Sequence, residues 1–173
     1  YHDSLEKFLL CWNTEKDKTG LPLGGMSFNI VDAEIPKYSI FRKLFYMSVS
    51  EKGGVSDSGY AATYFPVSEV MNTKWLVGGV TGWARSLIEN HDHPIDFSTR
   101  WAVCEDLIYS YPLHRSHRLL VAKDARVNHN QTYSEMSLKR GIYYGLSQVI
   151  MRFYFVSINE DLSKPLFLWM TLG

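Results

Sequence analysis

The sequence predicts an α/β domain, on three observations. Segments whose apolar residues alternate with a period of two are interspersed with segments that repeat at helical spacing. The 173 residues amount to one domain, 1–173, and no repeat or low-complexity linker divides them. Hydrophobic residues make up 46% of the chain, which excludes a disordered one.

The elements follow in order. A helix is predicted over Asp3–Lys16: Asp3 and Glu6 have capping-box spacing, Leu5, Phe8, Leu9 and Trp12 share a face, and Gly20 and Pro22 end it. Gly24–Val31 reads as a strand, with Met26, Phe28 and Ile30 alternating against small or polar residues. Beyond the break at Pro36, a short helix covers Ile40–Met47. Ser50–Asn72 contains Gly53, Gly54, Gly59 and Pro66 and little periodicity. It is expected to form a long loop with one short strand near Tyr60–Phe65, and a loop of that length is usually functional or mobile. Trp75–Val80 reads as a buried strand whose glycines admit a neighbouring backbone or a ligand. A short helix over Ala84–Asn90 leads into a polar loop, His91–Thr99. Leu107, Ile108 and Tyr111 give Cys104–Leu113 a helical face. Leu119–Val127 is a strand interrupted near Asp124, Ser134–Ser157 an amphipathic helix, and a last helix starts at Lys164.

Charge and cysteine usage narrow the function classes. The 18 basic and 18 acidic residues cancel, whereas a nucleic-acid binder carries a basic excess. Cys11 and Cys104 make neither a disulfide framework nor a zinc knuckle, which points to a reducing compartment. The N-terminal residues lack a signal-peptide layout. Charges at Arg140 and Arg152 interrupt the apolar stretches near the C-terminus, so no spanning helix is expected. The chain stops inside the apolar run Pro165–Met170 and is expected to be cut there. Aromatic residues at 14% suit a sugar- or ring-binding cleft, and equally an aromatic core.

Several residue groups are chemical candidates, each with a plainer alternative. Glu105 and Asp106 open a predicted helix, where the macrodipole alone favours acids; one carboxylate there can also act as a general base projecting into a cleft. His91 and His93 have metal-ligand spacing, but Asp92 and Pro94 make a polar turn of them. His114 and His117, beside Arg115 and Arg118, read as a solvated basic helix end. His129 closes a strand, a position that also suits a structural histidine. Gly78 and Gly79 match no phosphate-binding fingerprint. Lys139 and Arg140, followed by Tyr143 and Tyr144, suit a helix face for phosphate or membrane headgroups, or an ordinary amphipathic helix.

The order of these groups resembles the second half of glycosyltransferase family 2. The resemblance rests on Trp75-Leu76-Val77-Gly78-Gly79, Arg85-Ser86-Leu87-Ile88, Asp96-Phe97, Glu105-Asp106-Leu107-Ile108-Tyr109-Ser110-Tyr111, Arg118-Leu119-Leu120 and Ala125-Arg126-Val127-Asn128-His129. The opening, Asp3-Ser4-Leu5-Glu6-Lys7-Phe8, is similar to the family's helix just after its metal-binding D-x-D motif. Two departures stand out. The D-x-D motif, and with it the nucleotide-binding half, is absent, and Pro112 replaces the usual arginine and is expected to end its helix early.

The resemblance implies a partial GT-A fold: a mixed sheet flanked by helices, with a helical C-terminal segment. It implies inverting transfer of a sugar from a nucleotide-sugar donor to a hydroxyl of a glycan or lipid-linked acceptor, in polysaccharide biosynthesis. Asp106 takes the position of the base and Glu105 that of its acidic neighbour. Trp75, Gly78 and Gly79 correspond to a wall near sugar and acceptor, and His129 to a further ligand of a divalent metal, Mn or Mg. The isolated chain is expected to be inactive, with no nucleic-acid partner. Its setting is expected to be cytoplasmic, with peripheral association at the inner face of a membrane. Two other readings remain open: a non-catalytic carbohydrate- or membrane-interacting module on the same scaffold, and a metal hydrolase built on His91, His93 and His129.

Overall fold

The computed structural model describes residues 1–34, 39–49, 51–90, 103–129 and 137–173. It is an α/β structure with an open four-stranded mixed sheet flanked by helices. In chain order the elements are α1 (Ser4–Lys16), β1 (Leu23–Ile30), α2 (Ile40–Leu44), β2 (Met71–Asn72), β3 (Thr81–Trp83), α3 (Arg85–Asn90), α4 (Glu105–Leu113), β4 (Arg118–Val127), α5 (Leu138–Ile158) and α6 (Lys164–Met170). The strand order is β2-β4-β1-β3. β1 and β4 run parallel, and each carries an antiparallel edge strand: β3 beside β1, β2 beside β4. A parallel pair needs a long crossover, and everything from α2 to α4 lies between β1 and β4 in the sequence.

β1 is the innermost strand; all its residues but Phe28 are buried. Both faces are covered: Gly25, Ser27 and Asn29 on one, Met26 and Ile30 on the other. A Cβ on Gly25 would lie 2.6 Å from the Trp83 ring and 2.7 Å from Leu76, so the glycine lets both pack directly on the strand. The interruption expected near Asp124 is real, but it does not break β4. The register with β1 jumps from Phe28↔Ala122 to Asn29↔Arg126, a bulge within one continuous strand. Asn29 fills it. Its side-chain amide donates to Lys123 O at 2.8 Å and Val67 O at 2.9 Å, and its Oδ1 accepts from Val67 N–H at 3.0 Å.

α1 lies against β4 and β1. Phe8 stacks on Phe28 with ring centroids 4.4 Å apart, and its ring occupies the space where a Cβ on Gly82 would sit. The expected capping box does not form: Asp3 makes no side-chain cap bond and instead pairs with Lys7 at 2.7 Å. Leu5 and Leu9, assigned to the buried face from their spacing, are exposed; only Phe8 of that set is buried. At the other end of α1, the buried Glu15 pairs with Arg118 at 3.2 Å, tying the helix to the start of β4.

The predicted strand at Trp75–Val80 is the main correction. The strand lies three residues or more further on, at Thr81–Trp83. The short strand expected near Tyr60–Phe65 reduces to one isolated bridge, Val55↔Ala61, and the edge strand of this region is β2. α4 runs through Pro112 to Leu113, so the proline does not shorten it relative to the predicted range. α5 ends at Ile158, with Ser137 as its cap; the earlier start expected at Ser134 lies outside the described residues. α4, α5 and α6 share a cluster built on Ile108, Tyr111, Met151, Phe155 and Phe167.

Asn29→Ala removes both donors and the acceptor at the bulge and leaves Val67 N–H buried without its partner. It is expected to lower unfolding free energy by about 2–4 kcal/mol, read as a lower urea midpoint at unchanged m-value.

Candidate functional site

The site is organised by the backbone of residues 75–78. In a strand these N–H groups would bond a neighbouring strand. Here they point at side chains. Leu76 N–H donates to Ser110 Oγ at 2.9 Å, Val77 N–H to the Tyr64 hydroxyl at 3.0 Å and Gly78 N–H to Asp106 Oδ2 at 3.1 Å. Leu76 is buried and its N–H needs a partner; three different side chains supply one to each of these groups. That is why the segment is extended and held without being part of the sheet.

α4 provides two of the three. Ser110 lies one turn after Asp106, so both face the same way. Ser110 is fully buried and also donates to Asp106 O at 2.5 Å. Asp106 Oδ1 accepts from Leu107 N–H at 2.8 Å. The helix is entered through Cys104, whose φ of 62° is left-handed and turns the chain sharply into Glu105. Burial pushes the Cys104 thiol upward, against the opposing pull of Arg152. Its left-handed backbone makes Cys104 the turn residue at the start of α4.

Glu105 and Asp106, both half-buried, flank Gly78. A Cβ there would meet Glu105 Oε1 at 3.4 Å and Asp106 Cβ at 3.5 Å, ordinary contact distances. The backbone does not require glycine at this position. Its consequence is chemical: the exposed Gly78 leaves the rim beside both carboxylates bare. Gly79 differs. Its φ of 77° requires glycine, and it makes the turn into β3.

Next to this rim is a cavity of about 480 Å³, lined among others by Asp32, Glu34, Tyr64, Trp75, Val77 and His129. Trp75 and Val77 thus connect the cavity to the glycine pair. Trp75 lines this cavity, and its indole N–H is buried with no hydrogen-bond partner. Burial raises the Tyr64 hydroxyl far above the ordinary phenol range; the Val77 N–H opposes this and the charge of Asp106 adds to it. Tyr64 therefore stays neutral and serves as acceptor for Val77.

His129 is exposed, two residues past β4, and its backbone N–H donates to Asp32 Oδ1 at 2.8 Å. It shares the cavity wall with Trp75 and Val77. Among the described residues no three His, Cys, Asp or Glu side chains converge as a metal site. His91 and His93 lie outside the described residues. The basic set expected at the end of α4 is used internally: Arg118 pairs with Glu15 and Arg115 with Asp161 at 2.5 Å, and burial lowers the His114 imidazole. Arg115 is exposed, as expected of a solvated helix end, whereas Arg118 and His114 are largely covered.

The structure therefore brings Trp75, Gly78, Glu105 and Asp106 together, with His129 on the adjoining cavity. Sequence reading assigned no role to Ser110 and Tyr64. Ser110 had a signal, since it is four residues after Asp106 inside the same motif. Tyr64 had none, because it comes from an aperiodic loop. Comparison with family profiles, with curated proteins and with solved structures returns no match.

Two outcomes test this construction. Gly78→Ala is expected to keep or raise stability by up to about 1 kcal/mol, while Gly79→Ala lowers it by about 1–2 kcal/mol; thermal unfolding of the pair separates them. Ser110→Ala strands Leu76 N–H and is expected to cost about 1–3 kcal/mol in the same measurement.

Proposed function

We propose that the chain supplies the acceptor-side, catalytic part of an inverting nucleotide-sugar glycosyltransferase. The observation that carries this reading is the hydrogen bond between Gly78 N–H and Asp106 Oδ2. It joins the two motifs on which the family resemblance mainly rests, and it does so at an exposed rim beside an aromatic-lined cavity.

In this reading Asp106 is the general base. Each carboxylate oxygen has two acceptor sites, and the bonds from Gly78 and Leu107 occupy one on each. A site remains for an acceptor hydroxyl at about 2.6–3.2 Å. As the hydroxyl oxygen bonds to the anomeric carbon, its proton passes to Asp106. The bond to the leaving diphosphate breaks with its electron pair on that group. Gly78 fixes the orientation of the base, and its missing side chain gives the sugar ring room to approach. Trp75 provides an apolar wall. Glu105 lies beside Gly78 together with Asp106 and shapes the rim.

A divalent metal, Mn or Mg, belongs to this chemistry by resemblance, where it balances charge on the leaving diphosphate. Asp32, Glu34 and His129 line the cavity, but they do not converge, and Asp32 Oδ1 is engaged by the His129 backbone. The described residues do not by themselves fit a metal centre, and no step is assigned to one. The free thiols of Cys11 and Cys104 suit a cytoplasmic setting.

The experiment is a donor screen on the enzyme that contains this chain, with manganese or magnesium, followed by Asp106→Asn. The substitution is expected to cut transfer by about 10²-fold or more with donor binding nearly intact. Wild-type turnover in Asp106→Asn, or loss confined to Glu105→Gln, would overturn the assignment. Glycan binding with no transfer to any acceptor would favour the module reading.

A further inference from the structure

We infer that the face formed by α2, α5 and α6 docks on an anionic lipid surface. α5 has two apolar sides. Met151, Phe155 and Val156 are buried in the cluster with α4 and α6. Ile142, Leu146, Val149, Ile150 and Phe153 are exposed. At 100° per residue these five fall within an arc of about 100°, opposite Met151 and Phe155. They have the spacing of a packing face, yet they face solvent.

The patch continues onto the neighbouring helices. Trp169 of α6 stacks on Phe45 just past α2, with centroids 5.3 Å apart, and donates to Leu44 O at 3.0 Å. Ile40, Phe41, Leu44, Leu168 and Trp169 are all exposed. A groove of about 220 Å³ joins α5 to α6 between Val149, Arg152, Phe167 and Met170.

Charge identifies the occupant. α2, α5 and α6 contain Arg42, Lys43, Lys139, Arg140, Arg152 and Lys164, and no Asp or Glu; Arg42 is engaged by Tyr60 and Arg152 by Gly59 O, while Lys43, Lys139 and Lys164 are exposed. Because the chain as a whole balances 18 against 18, the remainder is net acidic. A second copy of this chain would set cations against cations. An anionic bilayer offers both halves of the complement: headgroups for the lysines and arginines, and an acyl boundary for the apolar stripe. Tyr143, Tyr154 and Trp169 suit the level between them. No described helix is long and apolar enough to cross a membrane, so the face would lie on the bilayer.

This inference does not rest on the transfer reading. Its test is flotation of the purified chain with phosphatidylcholine vesicles, with and without phosphatidylglycerol. The chain is expected to float with the anionic vesicles and to bind the neutral ones about tenfold more weakly or less. Ile142→Asp with Ile150→Asp changes exposed positions only, and circular dichroism checks that the fold is kept. That variant, and separately Lys43→Glu with Lys139→Glu, is expected to lose binding by about tenfold or more. No flotation with anionic vesicles overturns the inference, as does flotation undiminished in both variants. A dimer that the aspartate variant disperses, without vesicle binding, overturns it in favour of contact between copies.

Discussion

Three consecutive backbone donors, from Leu76 to Gly78, are satisfied by side chains away from any neighbouring strand, and much of the structure follows from how this is done. Ser110, Tyr64 and Asp106 each accept one of them. Those three bonds fix the first turns of α4 and the loop around residue 64 against the same short stretch of chain. Gly25 completes the arrangement from the sheet side, since a side chain there would collide with Leu76 and Trp83. The rim, the cavity and the placement of both carboxylates are consequences of that one arrangement.

The glycine pair shows how adjacent, identical residues can serve different ends. Gly79 has a positive φ, and the turn into β3 needs it. Gly78 has room for a methyl group and an ordinary backbone, so its smallness matters only to what approaches from outside. A residue that the fold does not need, placed between two carboxylates, is the kind of feature expected where backbone must come close to a ligand.

Electrostatics divides the molecule in the same way. Arg118 is consumed by the buried Glu15, and Arg115 by Asp161 and the Tyr111 ring. The charges around α1 and α4 therefore hold elements together. The cations of α2, α5 and α6 have no acidic residue on their own helices, and they sit among exposed apolar side chains. A formal net charge of zero hides this separation, because it sums two regions with different tasks.

Local pattern was enough for the α/β class, for β1, for α4 through α6 and for the irregularity near Asp124, because each depends on short-range periodicity or a composition break. It also brought Glu105, Asp106 and Gly78 to notice as residues of one ordered set of motifs. What it left open depended on partners distant in sequence. Trp75–Val80 has the composition of a strand, but whether it joins a sheet is decided by where its N–H groups find acceptors, and those come from residues 64, 106 and 110. Leu5 and Leu9 have core spacing, but the sheet surface they would need is occupied through Phe8 alone. Asp3 has the spacing of a cap and meets Lys7 instead. The sequence by itself determined which segments are helical or extended. Only the tertiary structure decided which faces are covered and which side chains meet, because hydrogen-bond partners and packing surfaces are supplied by other parts of the chain.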